Sequence, residues 1–227
     1  MRSVVGVLLA AVLSVPIFAA DAKKDVDARL HAATEDLHEL MNAGDKSIPQ
    51  SLLDKASCVV VIPGLKKGGF IVGAEYGKGF FTCRKASGVG WSAPGAITTA
   101  GGKFGLLIGG AETDVVMLVM NKNGMEHLLS DKFQLGGEAS AAAGPVGRNA
   151  SAMTDAEMHA EILTYSRQRG IFGGLDLAGA VVKEDDDANR ALYGAAISNK
   201  QIVQGKERIP AAAEPFIHAL DRTSSRK

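Results

Sequence analysis

The chain has 227 residues and a formal net charge of zero, with 25 Lys and Arg against 25 Asp and Glu. Its hydrophobic fraction of 46% argues against disorder, and its balanced charge gives no argument for a nucleic-acid partner or for non-specific attraction to a membrane. Glycine accounts for 27 residues without a collagen-like period, which favours closely packed strands over long helices.

The first 20 residues predict a secretory signal peptide. Arg2 is a short basic region, residues 4–13 form a nearly continuous apolar run, and residues 17–20 provide a cleavage site. A membrane anchor is the alternative, although the segment is short for a span. We therefore expect an exported chain in which residues 21–227 form a single domain.

An amphipathic helix is predicted at residues 21–43, where apolar residues recur at spacings of three and four and Gly44 follows. Its polar face carries both signs of charge, which favours packing on the domain over binding at a membrane interface. Both interpretations remain open at this stage. A short helix is predicted at residues 49–56, beginning at Pro49.

Strand-like runs then follow in quick succession. Residues 58–62 are expected to stop at Pro63 and Gly64, and residues 77–79 (Gly-Lys-Gly) are expected to form a hairpin turn. The further predicted strands are residues 70–76, 80–84, 89–92, 104–108 and 115–120. We expect residues 91–121, which contain the only Trp, to form the centre of an antiparallel sheet closed by a turn at 121–124.

The C-terminal half mixes strands and helices. Residues 125–130 suggest one or two helical turns, and Phe133 and Leu135 have strand periodicity. Residues 162–168 are expected to pair with 171–182, although capping-box spacing at Thr154 makes a helix the alternative for this region. Helices are predicted at 188–196, capped by Asp187, and at 211–220. The fold class is thus α+β, a curved antiparallel sheet or barrel flanked by helices.

The two cysteines, Cys58 and Cys83, both lie in strand-like runs. In an exported chain an even number of cysteines suggests a disulfide. Two buried thiols are the equally weighted alternative, because cysteine is common in protein cores.

No pattern in the sequence is typical of catalysis, metal binding or a cofactor. The Gly-Lys pairs lack the spacing of a phosphate loop, and no nucleophile elbow is present. Asp185, Asp187 and Asn189 copy the start of a calcium loop, but Arg190 and Ala196 occupy the positions that need Gly and Glu. We therefore expect neither an enzyme nor a metal or cofactor site.

Local clusters of cations are the remaining candidates for a binding site. They lie at predicted turns and strand ends, mostly beside glycines, where they could form an anion-binding rim suited to lipid headgroups. The residues are Lys66, Lys67, Lys78, Arg84, Lys85 and Arg148. Ordinary surface charge is the alternative explanation.

Several motifs together resemble one known family. They are W-S-A-P-G-A-I at 91–97, A-A-G-P-V-G-R-N-A at 142–150, Y-S-R-Q-R-G-I-F-G-G-L-D-L-A-G at 165–179, I-P-Q-S-L-L-D-K-A at 48–56 and D-A-N-R-A-L-Y-G at 187–194. In this order they resemble the SYLF domain, over roughly residues 45–222.

This resemblance implies binding without catalysis, because eukaryotic SYLF proteins engage phosphoinositides through a basic surface and an amphipathic helix, and a yeast branch binds actin. Lys67 and Arg148 stand at positions of the family's motifs. We expect an exported bacterial member, peripheral to the membrane in the periplasm or outer envelope, that binds anionic lipid such as phosphatidylglycerol or cardiolipin. A structural or protein-binding role in the envelope is the alternative.

Overall fold

The computed structural model of the chain describes residues 17–44, 47–70, 72–104, 109–147, 158–168, 171–205 and 207–224. The helices with described bounds are α1 (Ile17–Met41), α2 (Gln50–Lys55), α3 (Lys122–Leu128), α4 (Asp186–Tyr193), α5 (Asn199–Gln204) and α6 (Glu214–Thr223), with a 3-10 turn at Ala211–Ala213. The strands are β1 (Cys58–Phe70), β2 (Val72–Cys83), β3 (Gly95–Phe104), β4 (Gly109–Val119), β5 (Lys132–Gln134), β6 (Ala141–Ala143), β7 (Ile162–Gln168), β8 (Ile171–Gly174) and β9 (Val181–Glu184).

These strands form one strongly curled, open sheet, with helices at both ends of the chain. The order is β5-β9-β3-β2-β1-β4-β7-β6, and β8 pairs with β7 on the same side as β6. The α+β prediction is confirmed. The sheet is mixed, because β6 runs parallel to β7. The prediction that residues 91–121 form the centre of the sheet was wrong in detail, since β1 and β2 lie between β3 and β4.

The long β1–β2 hairpin occupies the centre instead. The predicted turn at residues 77–79 is wrong, because these residues continue β2. A Cβ on Gly79 would lie 2.2 Å from the Val61 carbonyl oxygen, so glycine permits a close approach of strands here. The predicted end of β1 at Pro63 and Gly64 is also wrong. There the register shifts in a bulge, Gly64 has a φ of 57°, and its N–H donates to Asp114 Oδ1 at 2.9 Å.

Two apolar clusters cover opposite faces of the sheet. The outer face, which includes Phe80 and Val116, packs on α1, α4 and α6. The inner face, which includes Phe81 and Val115, packs beneath β5, β9 and α3. Each fully buried Leu or Phe stabilises this arrangement by roughly 1.5–3 kcal/mol.

Helix α1 packs on the domain, as favoured by its pattern. The five apolar residues of its predicted stripe are all at most 4% exposed within the outer-face core: Val26, Leu30, Ala33, Leu37 and Leu40. The helix begins at Ile17, inside the predicted cleavage segment. In the described part of the chain, no helix has the length and apolarity required to cross a membrane.

The turn predicted at residues 121–124 is the start of α3. Asn121 is extended, with a φ of −142°, and its side chain accepts a hydrogen bond from the Gly124 N–H. This is N-cap geometry, in which a side-chain oxygen satisfies an otherwise unpaired backbone donor of the first turn. The local residues therefore begin a helix that ends at Leu128.

The predicted partner strand of β7 divides into two strands. Residues 171–174 form β8 and pair with β7, whereas residues 181–184 form β9 and pair with β3 and β5. Residues 89–92 form no strand, only an isolated bridge between Arg84 and Trp91. The capping-box alternative at Thr154 lies outside the described residues.

The C-terminal helices are set by their caps. Asp185, rather than the predicted Asp187, caps α4 by accepting from the Ala188 N–H, and Gly194 ends the helix with a φ of 73°. Helix α5 was missed, although Ser198 and Gln201 form a complete capping box. The predicted final helix is a 3-10 turn followed by α6.

Cys58 and Cys83 form a disulfide across the first pair of residues in the β1–β2 ladder. Both are fully buried in the inner-face core. Of the two alternatives left open by the sequence, the structure contains the disulfide.

Candidate functional site

Two of the motifs that resemble the SYLF domain hold elements together inside the fold. Tyr193 donates its hydroxyl hydrogen to the Pro94 carbonyl at 2.6 Å. Asn189 accepts from the Ala96 N–H at 2.9 Å, and Asn199 donates to the Ala96 carbonyl at 3.0 Å. Both asparagines are fully buried. The motifs at 91–97 and 187–194 therefore join β3 to α4, and Asn199 joins β3 to α5.

Arg84 is a structural residue and does not lie on an open surface, contrary to the prediction. Its guanidinium lies 3.9 Å from the ring centroid of buried Trp91. It donates to the Ser224 carbonyl at 2.5 Å and also to the Ser224 hydroxyl. Weaker contacts of 3.4 Å reach the carbonyls of Leu53 and Ala56.

The structure does not bring the other predicted cations together on one surface. Lys66 and Lys78 lie on the outer face, whereas Lys67 lies on the inner face, 19% exposed and 3.7 Å from Glu75. Lys85 is exposed just beyond the opposite end of β2. Arg148 lies outside the described residues.

A row of basic residues crosses the outer face, where residues paired between neighbouring strands point the same way. Lys78 of β2 is paired with Thr98 of β3, and Thr98 is paired on its other side with Lys183 of β9. Lys183 is in turn paired with Lys132 of β5. Lys78 pairs with the capping Asp185 at 2.8 Å. Lys132 and Lys183 are exposed, and no carboxylate among the described residues forms an ion pair with either.

The next row along the strands is also uncovered. Lys66, Tyr76 and Val181 belong to it, in register with Ala100 and Gln134. Tyr76 is 48% exposed and Val181 37% exposed, and both border the basic row. We call Lys66, Tyr76, Val181, Lys183 and Lys132 the basic–apolar patch.

The pairing of Lys132 with Lys183 is electrostatically unfavourable. Directly opposed residues on neighbouring strands have Cβ atoms about 4.5–5.5 Å apart, and like charges at that distance destabilise a sheet. An anion bound between the two ammonium groups would relieve this repulsion. The patch therefore has the chemistry of a site for an anionic group attached to an apolar body.

A shallow trough of about 550 Å³ adjoins the patch on the outer face. Lys66 and Tyr76 line its rim together with Glu112, whose carboxylate lies 3.8 Å from Lys66 Nζ. Its floor is formed by small residues in register, Gly68, Ala74 and Gly110. Because both partners of the Lys66–Glu112 pair are at least 70% exposed, the pair contributes little to stability.

One strongly perturbed acid lies elsewhere, between α1 and the sheet. Burial raises the pKa of Asp36 from 3.8 to about 7, and the neighbouring Asp114 carboxylate adds to this effect, while Arg167 opposes it. Arg167 contacts Asp36 at 2.9 Å, Asp114 at 2.7 Å and also Glu39. None of these residues lines the trough. The cluster joins α1 to β4 and β7.

Asp36→Asn should therefore stabilise the fold as the pH rises. Because the pKa of Asp36 is raised in the folded state, the protonated carboxyl stabilises the fold, fully so below pH 3.8. This stabilisation is lost as the pH rises through 7 and the buried carboxyl ionises. An amide mimics the protonated acid, so we expect a gain of about 1–2 kcal/mol at pH 8 that shrinks towards pH 4. Urea unfolding at several pH values measures it. Glu39→Gln, at a 54% exposed partner of Arg167, is the control and should show no such pH trend.

Across the described ranges, no group of three or more His, Cys, Asp or Glu side chains is placed to hold a metal ion.

Comparison with known proteins identifies the family. A family model described as Ysc84, Las17-binding protein actin regulator, matches residues 100–223. The chain belongs to this family, which confirms the SYLF resemblance of its motifs.

Several curated relatives support the same family assignment. The chain is 38% identical over 177 residues to the SH3 domain-containing protein PJ696.02 of Schizosaccharomyces pombe, covering 77% of this chain and 41% of that protein. It is 33% identical over 180 residues to protein YSC84 of Saccharomyces cerevisiae, covering 78% and 38%. It is 34% identical over 181 residues to the human SH3 domain-containing YSC84-like protein 1, covering 79% and 52%. The chain thus spans about two-fifths to one half of the length of these relatives.

Sequence reasoning missed Lys132, Lys183, Tyr76 and Val181. The alternation of Lys132 and Gln134 with core residues showed only that Lys132 lies away from the core. Which residues it neighbours depends on the pairing of β5 with β9 and of β9 with β3, which joins segments far apart in the chain.

Proposed function

We propose that this domain binds anionic phospholipid headgroups at a membrane surface, without catalysis, through the basic–apolar patch. The observation that carries the proposal is the register that places Lys183 opposite Lys132 on an uncovered face beside Tyr76 and Val181. Lysines near an anionic bilayer contribute about 1 kcal/mol each, and exposed aromatic and aliphatic side chains favour the interfacial region.

The buried Cys58–Cys83 disulfide supports the expectation of export, because disulfides persist mainly in oxidising compartments. Together with the predicted signal peptide at residues 1–20, it supports a location in the periplasm or outer envelope, peripheral to the membrane. In a bacterial envelope the abundant anionic lipids are phosphatidylglycerol and cardiolipin, which we propose as ligands.

Lys132→Gln together with Lys183→Gln should weaken binding to phosphatidylglycerol vesicles by about 2 kcal/mol, roughly 30-fold in the partition coefficient. Co-sedimentation with vesicles of phosphatidylcholine alone and with added phosphatidylglycerol measures it. The effect should be larger at low salt, because screening shortens the range of the attraction.

Lys122→Gln is the matched control, because Lys122 is 81% exposed on α3, away from the patch, and pairs only loosely with Glu126. It should leave the partition coefficient unchanged. Equal recovery of the wild-type protein with neutral and anionic vesicles, or equal losses in the patch and control variants, contradicts headgroup binding at the patch.

A protein partner is the second candidate. The family description names a Las17-binding protein and actin regulator, and one relative is named LAS seventeen-binding protein 3. Strand β7 pairs with β4 only from Asp114 onward, so among the described strands Gly109–Thr113 pair with β1 alone. Such an edge suits pairing with a strand of another protein.

In situ cross-linking from a photoreactive residue at Glu112 tests this second candidate. One specific envelope protein trapped at this position, with no vesicle binding by the purified domain, favours it over lipid binding. Vesicle binding with no specific cross-link favours the lipid proposal.

A further inference from the structure

We propose that the trough beside the patch binds the hydrocarbon chain of an anionic amphiphile, while the patch lysines bind its headgroup. This inference rests on the proposed function and adds to it a second contact, with the acyl chain.

The floor consists of three small residues in register, Gly110 of β4, Gly68 of β1 and Ala74 of β2, and the same row continues beyond the trough to Gly102 of β3. With neighbouring strands about 4.8 Å apart, the row extends roughly 14 Å across the sheet. The trough volume of about 550 Å³ falls within the range of small-molecule sites, roughly 300–1,000 Å³.

Two of these glycines are not required by the fold. A Cβ on Gly110 would meet only the Lys67 carbonyl oxygen at 3.8 Å, and one on Gly102 only the Gly73 carbonyl oxygen at 3.9 Å. Neither has a positive φ. Glycine weakens a strand interior by conformational entropy and absent side-chain packing. A bare floor at these positions is therefore explained by a ligand that approaches the backbone.

The chemistry of the floor selects an apolar ligand. Backbone N–H and C=O groups lie in the plane of a sheet and pair with neighbouring strands, so the face of the sheet presents Cα atoms and small side chains. A hydrocarbon chain needs no hydrogen-bond partner and gains by leaving water. A peptide strand lying on this face would leave its own polar backbone groups unpaired.

The rim then orients the amphiphile. Lys66 and Tyr76 stand between the floor and the row that contains Lys183 and Lys132. A chain on the floor with its head towards that row would place the anionic group among lysines and pack its first methylenes against the Tyr76 ring. Charge complementarity therefore favours an anionic over a zwitterionic amphiphile.

Dodecyl phosphate, used below its micelle concentration, is the probe. We expect saturable binding by isothermal titration calorimetry, with shifts of the Gly110 and Gly102 amide signals in NMR spectra. Gly110→Leu should weaken this binding at least tenfold, because the added side chain fills the trough without a clash inside the protein. Gly173→Leu on β8 is the matched control, since a Cβ there meets nothing within 4 Å and Gly173 does not line the trough.

The outcomes separate this inference from the proposed function. Unchanged dodecyl phosphate binding in Gly110→Leu overturns the trough as the site of the hydrocarbon chain. Binding of the wild-type protein to phosphatidylglycerol vesicles but not to the probe does the same. Either result leaves the proposal of headgroup binding intact. Binding to neither vesicles nor probe overturns both proposals. Equal affinity for dodecylphosphocholine contradicts the role of the lysines. If Gly110→Leu changes the oligomeric state seen by sedimentation velocity but leaves probe binding unchanged, the face contacts a second copy of the chain. That result contradicts the inference.

Discussion

Arg84→Met should lower the free energy of unfolding by about 3 kcal/mol, because hydrogen bonds to charged groups contribute roughly 1.5–3 kcal/mol and their loss leaves buried acceptors unpaired. The guanidinium donates hydrogen bonds to the carbonyl and hydroxyl of Ser224 and, at longer distance, to the carbonyls of Leu53 and Ala56. It also stacks on the Trp91 ring. Methionine keeps an unbranched apolar stem but provides none of these contacts. Urea unfolding followed by the fluorescence of Trp91, the only tryptophan, measures the change.

Two control variants separate charge from geometry. Arg84→Lys retains the charge but has neither the planar fork nor the stacking surface, so it should recover only part of the loss. Lys85→Met changes an exposed neighbour and should stay within about 0.5 kcal/mol of wild type. If Arg84→Met is as stable as wild type, the carbonyls of Leu53, Ala56 and Ser224 do not depend on Arg84.

Removing the disulfide should have a similar effect. Cys58 and Cys83 are 25 residues apart, and cross-linking a loop of that length stabilises a fold by about 3 kcal/mol through the entropy of the unfolded chain. We expect Cys58→Ala with Cys83→Ala to unfold at a lower urea concentration by a corresponding amount. The urea concentration at the unfolding midpoint of the wild-type protein should fall to a similar value when reductant is present.

The double variant supplies its own control, because its unfolding should not respond to reductant. The native wild-type protein should also resist alkylation without prior unfolding, because both sulfurs are fully buried in the inner-face core. Identical unfolding midpoints for wild type with and without reductant would show that the cross-link does not stabilise the domain.

Local pattern was enough to predict some elements. Helix α1 follows from apolar residues at helical spacing, because that signal depends only on neighbours along the chain. Gly79 shows the opposite case. The Gly77-Lys78-Gly79 triplet between two strand-like runs predicts a turn from local sequence. The close approach of the Val61 carbonyl on the adjacent strand explains why β2 instead continues through Gly79.

The candidate site was harder to predict for the same reason. Lys78 and Lys66 were identified from local charge, Lys78 in a predicted hairpin turn and Lys66 just before two glycines. Their importance depends on Lys183 and Lys132, which the register of β9 with β3 and β5 brings alongside. The structural contacts of Arg84 could not be predicted, because its partners Trp91 and Ser224 lie on segments that no spacing rule connects to it.

The anchoring of Ser224 beneath Arg84 has a practical consequence for experiments. Arg84 follows the end of β2 that is remote from the trough, six residues or about 20 Å from Lys78. An affinity handle or dye fused after residue 224 would therefore emerge near Arg84, at the end of β2 that lies away from the lysines of the basic–apolar patch. Protein captured on a sensor surface by that end would present its glycine-floored face to injected vesicles.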